Sequence, residues 1–557
     1  MSVSSGRTEV AELAERAWTA SMAAEPLNGT VLGDSHCDGR LADNSPEGRA
    51  AVVRDFREIG RRAHALPADE LDDTDRTTRA ALLGFVETEL ALQIPEYAPW
   101  SVDPMAGPAV SLPNASELQP VGTAEQRERA LRRWREMSGY LDRYTAGLRS
   151  ARTGGQVAAA VLVRRVLGQL DDLLAQPVEH GPLAEPARAA EGPGAPEFAA
   201  ELEELLTGAI RPAYARLRTV LAEEILPVAR PDDRAGLCHL PGGDELYRQA
   251  IRGFVTLDLS PEEVHETGLA AVRDSDRELT ELGRQVLGTP DLAATLRRLR
   301  TGDGLRYTGK AEILAVARAA VDRAEEVVPD WFGLRHCGPC DVRAVPPHEE
   351  QNAPFAYYQW PAADGSRPGI YYVNTYRPES RATYESVPTA CHEAVPGHHL
   401  QLSVAQRLQG LPAFRRLVPV PAYAEGWGLY AETLGEEMGL YRSDLDRLGA
   451  RSNDALRCCR LVVDTGLHAL GWTRQRAIDF VVEHSAFPAE RAASEIDRYL
   501  AWPGQALSYK LGQLELLRLR AEARSRLGPD FGIRRFHDAV LGAGSLPLGA
   551  LREVVTA

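Results

Sequence analysis

Apolar residues recur at three- and four-residue intervals through most of the chain, the period of amphipathic helices that bury one face. The pattern predicts three helices within 8–95, one of them over 75–92. Further helices are predicted over 123–150, 156–175, 198–225, 261–286, 291–301 and 309–327. Two stretches interrupt the period. Residues 94–114 carry prolines at 95, 99, 104, 108 and 113 and read as a long irregular segment, a common source of functional walls. Residues 176–197, rich in Gly and Pro, read as an exposed loop.

The character changes after Pro329. Residues 340–345 and 369–375 are β-branched and aromatic and predict two strands, with turn chemistry over 363–368 between them. Helical periodicity returns from about 380 and lasts to the end, and no internal repeat is present. The fold class is therefore mostly α, with a small sheet in the second half. The shift in pattern divides the chain into a helical half, 1–328, and a mixed half, 329–557, which one continuous domain would also accommodate.

Composition narrows the function. A chain of 557 residues, 44% hydrophobic and 25% charged, is globular and long enough for a sizeable core. Its formal charge of −16 disfavours nucleic acid and anionic membranes as partners. Lys310 and Lys510 are the only lysines, a bias of composition and not a phosphate-binding device. No secretory signal or membrane span is legible, and seven cysteines, an odd number thinly spread, point to a reducing cytoplasm. Cys337-Gly-Pro-Cys340 copies a redox tetrapeptide, but a turn followed by a strand is the wrong setting for it.

The candidate chemistry centres on residues 391–401, Cys-His-Glu-Ala-Val-Pro-Gly-His-His-Leu-Gln. Two imidazoles that hold zinc, with a carboxylate beside them to take a proton from water, make a hydrolytic centre. The usual spacing is His-Glu-x-x-His on one helical face. Here the second histidine comes late, at His398 or His399, roughly 9–10.5 Å along an unbroken helix from His392. Pro396 lacks the N–H that would bond the carbonyl of His392, and Gly397 is permissive, so a bulge there is expected to bring one histidine back.

A third ligand is sought in Tyr-Ala-Glu-Gly-Trp-Gly-Leu-Tyr-Ala-Glu over 423–432, where Glu425 and Glu432 lie two turns apart on one apolar face. Asp464 and His468, spaced i,i+4, can both face one pocket. Tyr509 opens an apolar helix and could stabilise an oxyanion, with Lys510 beside it for a substrate carboxylate. The strand over 369–375, carrying Tyr372 and Asn374, could bind an extended peptide along an exposed edge.

These motifs, with Asp-Thr-Gly-Leu-His-x-x-Gly-Trp over 464–472, resemble the bacterial domain-of-unknown-function family 885, most clearly over 340–520. More distantly the chain is similar to helical zinc peptidases of the thimet-oligopeptidase and Taq-carboxypeptidase type. Dipeptidyl peptidase III, which carries a one-residue insertion in its His-Glu motif, shows that lengthened forms hold zinc. The resemblance implies a zincin-like helical clam whose N-terminal half covers a channel for short peptides. It carries the metal ligands onto His392, His398 and Glu425, the general base onto Glu393 and the oxyanion donor onto Tyr509. His399 is then left for substrate or for support of a ligand. The function expected is zinc-dependent hydrolysis of short peptides with one Zn2+. The alternatives are hydrolysis of a small non-peptide amide and a metal-free helical scaffold.

Overall fold

The computed structural model describes residues 2–93, 100–335, 338–347, 350, 353–361 and 367–556. The expected helices form, several with side-chain caps: Thr123 and Gln126 close a capping box on Ala124–Thr153, and Ser260 and Glu263 close another on Pro261–Leu287. Two expectations are corrected. Pro108–Glu117 is a helix inside the stretch read as irregular, its first turn tolerating proline because that N–H has no helical partner. Gly243–Val255 was not predicted, and it buries Leu246, Tyr247, Ile251 and Val255. The expected turn over 363–368 lies mostly outside the described residues, as does Cys337. No described helix is long and apolar enough to cross a membrane.

The sheet has three strands among the described residues: β1 (Asp341–Ala344), β2 (Ala356–Gln359) and β3 (Ile370–Val373). Their order is β1-β3-β2, with β1 parallel and β2 antiparallel to β3. β3 is the central strand, so the expectation that 369–375 offers a free edge is corrected. The edge nearest the chemistry is β2, too short to show a period of its own.

The core does not divide at residue 328. One apolar cluster joins Val10, Phe56 and Phe85 of the first helices to Tyr371, Trp427 and Val540 of the second half. A second cluster, from Leu41 to Ile225, holds a helical bundle around Trp134 and Tyr214. Two helix pairs position the site. Pro261–Leu287 lies along Asp444–His468, and Pro421–Glu437 crosses Leu507–Leu527. At that crossing the backbones touch: a Cβ on Gly426 would stand 2.5 Å from Cα of Gly512, so only glycine permits the approach.

Candidate metal centre

The motif helix Ser386–Glu393 stops where Pro396 and Gly397 demand it, and a new helix, His398–Arg407, begins at once. The outcome is a complete break, where the sequence suggested a bulge in a continuous helix. Gly397 folds back so closely that a Cβ would sit 1.9 Å from the carbonyl oxygen of His392. The N–H of His399 closes the turn on Ala394 O at 3.0 Å, and Trp427 Nε1 donates to Pro396 O at 2.9 Å. The break sets the His392 and His398 rings 4.8 Å apart and at 88°.

Glu425 completes the group. Its Oε2 lies 3.6 Å from Nε2 of His392 and 3.6 Å from Nε2 of His398. Tetrahedral ligands about 2.1 Å from a zinc ion would lie about 3.4 Å from one another. The three candidate ligand atoms all fall within 4.8 Å. His392 is oriented from behind, where Nδ1 donates to Oε1 of Glu432 at 2.9 Å. That bond leaves the Nε2 lone pair free to face the centre. Glu432 is only 3% exposed and also accepts from Asn453 and Arg457, at 3.4 and 3.3 Å. The ring of His392 lies on the helix backbone, and a Cβ on Gly428 would come within 2.7 Å of it.

Electrostatics favour a cation here. Burial opposes charge on His392, yet the carboxylates of Glu425 and Glu432, with Glu393 nearby, push it up to about 9. Burial likewise opposes charge on Glu425, but the two imidazoles hold it well below the usual carboxylate range. Glu393 is pushed up by burial, against the pull of His392 and His398. Two nitrogen donors and one ionised oxygen, converging in a partly buried corner with a carboxylate behind one of them, fit zinc.

The centre forms part of the wall of a cleft of about 520 Å³. Its described lining residues run from Pro354 to Tyr509. Glu393 and Tyr509 both face it, and the Tyr509 ring stacks 6.3 Å from that of His392.

Other expected site residues lie elsewhere. His468 is buried, with Nδ1 accepting from Leu237 N–H at 3.2 Å and Nε2 donating to Tyr499 O at 3.0 Å. Asp464 accepts from Tyr247 OH at 2.6 Å and from Gly504 N–H at 3.1 Å. Both are spent on the fold, which corrects the catalytic reading. Lys510 is locked to Asp454 at 2.7 Å and to Gln513 at 2.8 Å, away from the cleft. Asn374 ties a loop together by donating to the carbonyls of Glu350, Ala353 and Pro354. Tyr372 stacks on Tyr357 at 5.0 Å. His399 points away from the centre and meets Tyr358 OH at 2.9 Å. The sequence reading passed over Asn453, Arg457 and Arg460, although their three- and four-residue spacing with Asp464 marks one helical face.

The family model described as "Bacterial protein of unknown function (DUF885)" matches residues 26–555. Comparison with curated protein sequences gives no match. Solved structures share the fold, two of them as follows. One, of a "putative lipoprotein" from Colwellia psychrerythraea, is 26% identical with a TM-score of 0.92, over 99% of this chain and 98% of that one. The other, of a "putative lipoprotein of unknown function" from Shewanella oneidensis, is 17% identical with a TM-score of 0.77, over 98% and 100%.

Proposed function

We propose, from the premise that the chain belongs to the bacterial family of unknown function DUF885, that it hydrolyses peptide bonds in short peptides with one zinc ion. The observation that carries this reading is the convergence of His392, His398 and Glu425 at a cleft wall that also presents Glu393. The fold is then a helical, zincin-like one. A zinc ion held by the three residues would supply Lewis acidity and an open position where water becomes acidic near neutral pH. Glu393, its proton affinity raised by burial, takes a proton from the attacking water and passes it to the departing amine. Tyr509 donates to the carbonyl oxygen as charge grows there. Glu432 keeps His392 in the tautomer that faces the centre. The aromatic wall of Phe355, Tyr357 and Trp360 suits extended, unfolded substrates.

The test is metal analysis of protein purified without chelator, together with hydrolysis of a panel of short peptides and small amides. One zinc per chain and peptide turnover abolished by chelation are expected. Turnover of a small amide with all peptides inert would overturn the substrate class, and absence of metal would leave a scaffold. We propose the cytoplasm as the compartment, from an odd number of cysteines thinly spread over a long chain. Fractionation that finds the protein with membranes would replace it with the kind of location suggested by the names of the two similar structures.

A further inference from the structure

We propose that Arg460, flanked by Arg457 and Arg498, forms a carboxylate-binding subsite in the same cleft, so that substrates are cut near a free C-terminus. This deepens the peptidase reading and rests on it. All three arginines line the cleft. Glu495 accepts from Arg460 at 2.9 Å and from Arg498 at 3.1 Å. Burial opposes charge on Glu495, but the two guanidiniums hold it well below the usual carboxylate range, so it is ionised. Two arginines on one carboxylate leave one positive charge over.

That surplus sits where it is costly. Arg460 is 7% exposed, and its Nη1 has no hydrogen-bond partner among the described residues. Arg457 spends Nη1 and Nη2 on Asn453 O and Glu432, while its buried Nε has no such partner. A buried, unbalanced guanidinium in a cleft wall marks the place of an anion. One net charge suits a carboxylate monoanion, which the guanidinium fork matches in shape.

The position selects the C-terminal carboxylate. Arg460 Cζ lies 4.2 Å from the centre of the Tyr509 ring, and that ring lies 6.3 Å from His392. Those two steps are no longer than about three residues of extended chain, at up to ~3.6 Å each. A carboxylate held there therefore leaves at most about three residues beyond the bond at the metal centre, a reach that covers carboxypeptidase and carboxydipeptidase action.

The test compares N-acetylated tripeptides with free C-termini, the same peptides as amides, and amides ending in Asp. Free acids are expected to show kcat/KM about 10- to 100-fold above the amides, the worth of one charge-assisted pair. In Arg460→Met that acid-to-amide ratio falls towards one. Removing Arg460 disturbs a buried triad, so a second arm uses the unaltered full chain. Calorimetry with a D-residue analogue that resists cleavage should detect the free acid and not its amide. Equal cleavage and equal binding of acid and amide would overturn the subsite and leave the peptidase reading intact. Inert peptides with selective acid binding would do the reverse. Preference for the Asp amides over the free acids would overturn the C-terminal assignment.

Discussion

Two histidine–carboxylate groupings are present in this protein, and they have opposite fates. His392 with Glu425 and Glu432 keeps one nitrogen unspent and turns it towards a cleft. Asp464 with His468, on the helix Asp444–His468, has every strong hydrogen-bonding position answered by Tyr247, Leu237, Gly504 or Tyr499. Burial alone does not separate them, since His392 and His468 are both sequestered. What separates them is the second nitrogen: Leu237 N–H and Tyr499 O take both nitrogens of His468, whereas Glu432 takes one nitrogen of His392 from behind and leaves the other turned to the cleft.

Variants on each side can sharpen or break this contrast. The largest effect is expected from Glu425→Ala, which should take bound zinc from one per chain to near none and hydrolysis to background. Next is Glu393→Gln, which should keep its metal while kcat falls by about 10²–10⁴-fold. If Glu393→Gln hydrolyses peptides at the parent rate, the general-base assignment is wrong. Glu432→Gln should weaken zinc by about 10- to 100-fold in a competition titration with a chelator, without abolishing turnover at saturating metal. The smallest effect on turnover belongs to the other grouping. His468→Gln should leave kcat within a factor of two and lower stability by about 1–3 kcal/mol in urea unfolding, through unanswered buried polar groups.

The sealed pair also makes a pH prediction with a definite sign. Burial pushes His468 down to about 3, so between there and its unfolded value of 6.5 only the unfolded chain takes the proton. His468 therefore lowers stability as pH falls through that window. Burial pushes Asp464 up to about 7 against Tyr247 and Gly504, so between 3.8 and about 7 only the folded chain keeps the proton. Its contribution runs the other way, falling as pH rises. From pH 4 to 6.5 the two nearly cancel, and each single variant should uncover the other. Relative to the parent, melting temperature on acidification should fall faster in Asp464→Asn and more slowly in His468→Gln.

The same contrast shows what a sequence can reveal. The candidate ligand types, the late histidine and the breaking role of Pro396-Gly397 are local, and they were legible because a metal centre would restrict both residue type and spacing. The helices were legible for a similar reason, since 3.6-residue periodicity and caps such as Ser260 and Glu263 are written within one turn. Asp464 and His468 misled because i,i+4 spacing is the same whether a face meets a cleft or Tyr247, and only the distant partner decides. β2 escaped notice because its four residues are all half-buried and have no alternation to read. Arg460 carries no motif, and its meaning comes from Glu495 and Tyr509, which reach it from other helices.

The apolar cluster that joins the first helices to the last has a consequence for how the protein is made. Phe85 packs on Phe414 at 5.0 Å, and Val10 shares its core with Val540 and Leu551. While the ribosome is still translating, the opening helices can pack on one another, but the faces that meet Phe414, Val540 and Leu551 stay exposed. Completion waits for residues 533–556, which carry Val540 and Leu551, so their loss should send to the proteases a product that still contains every group of the candidate centre.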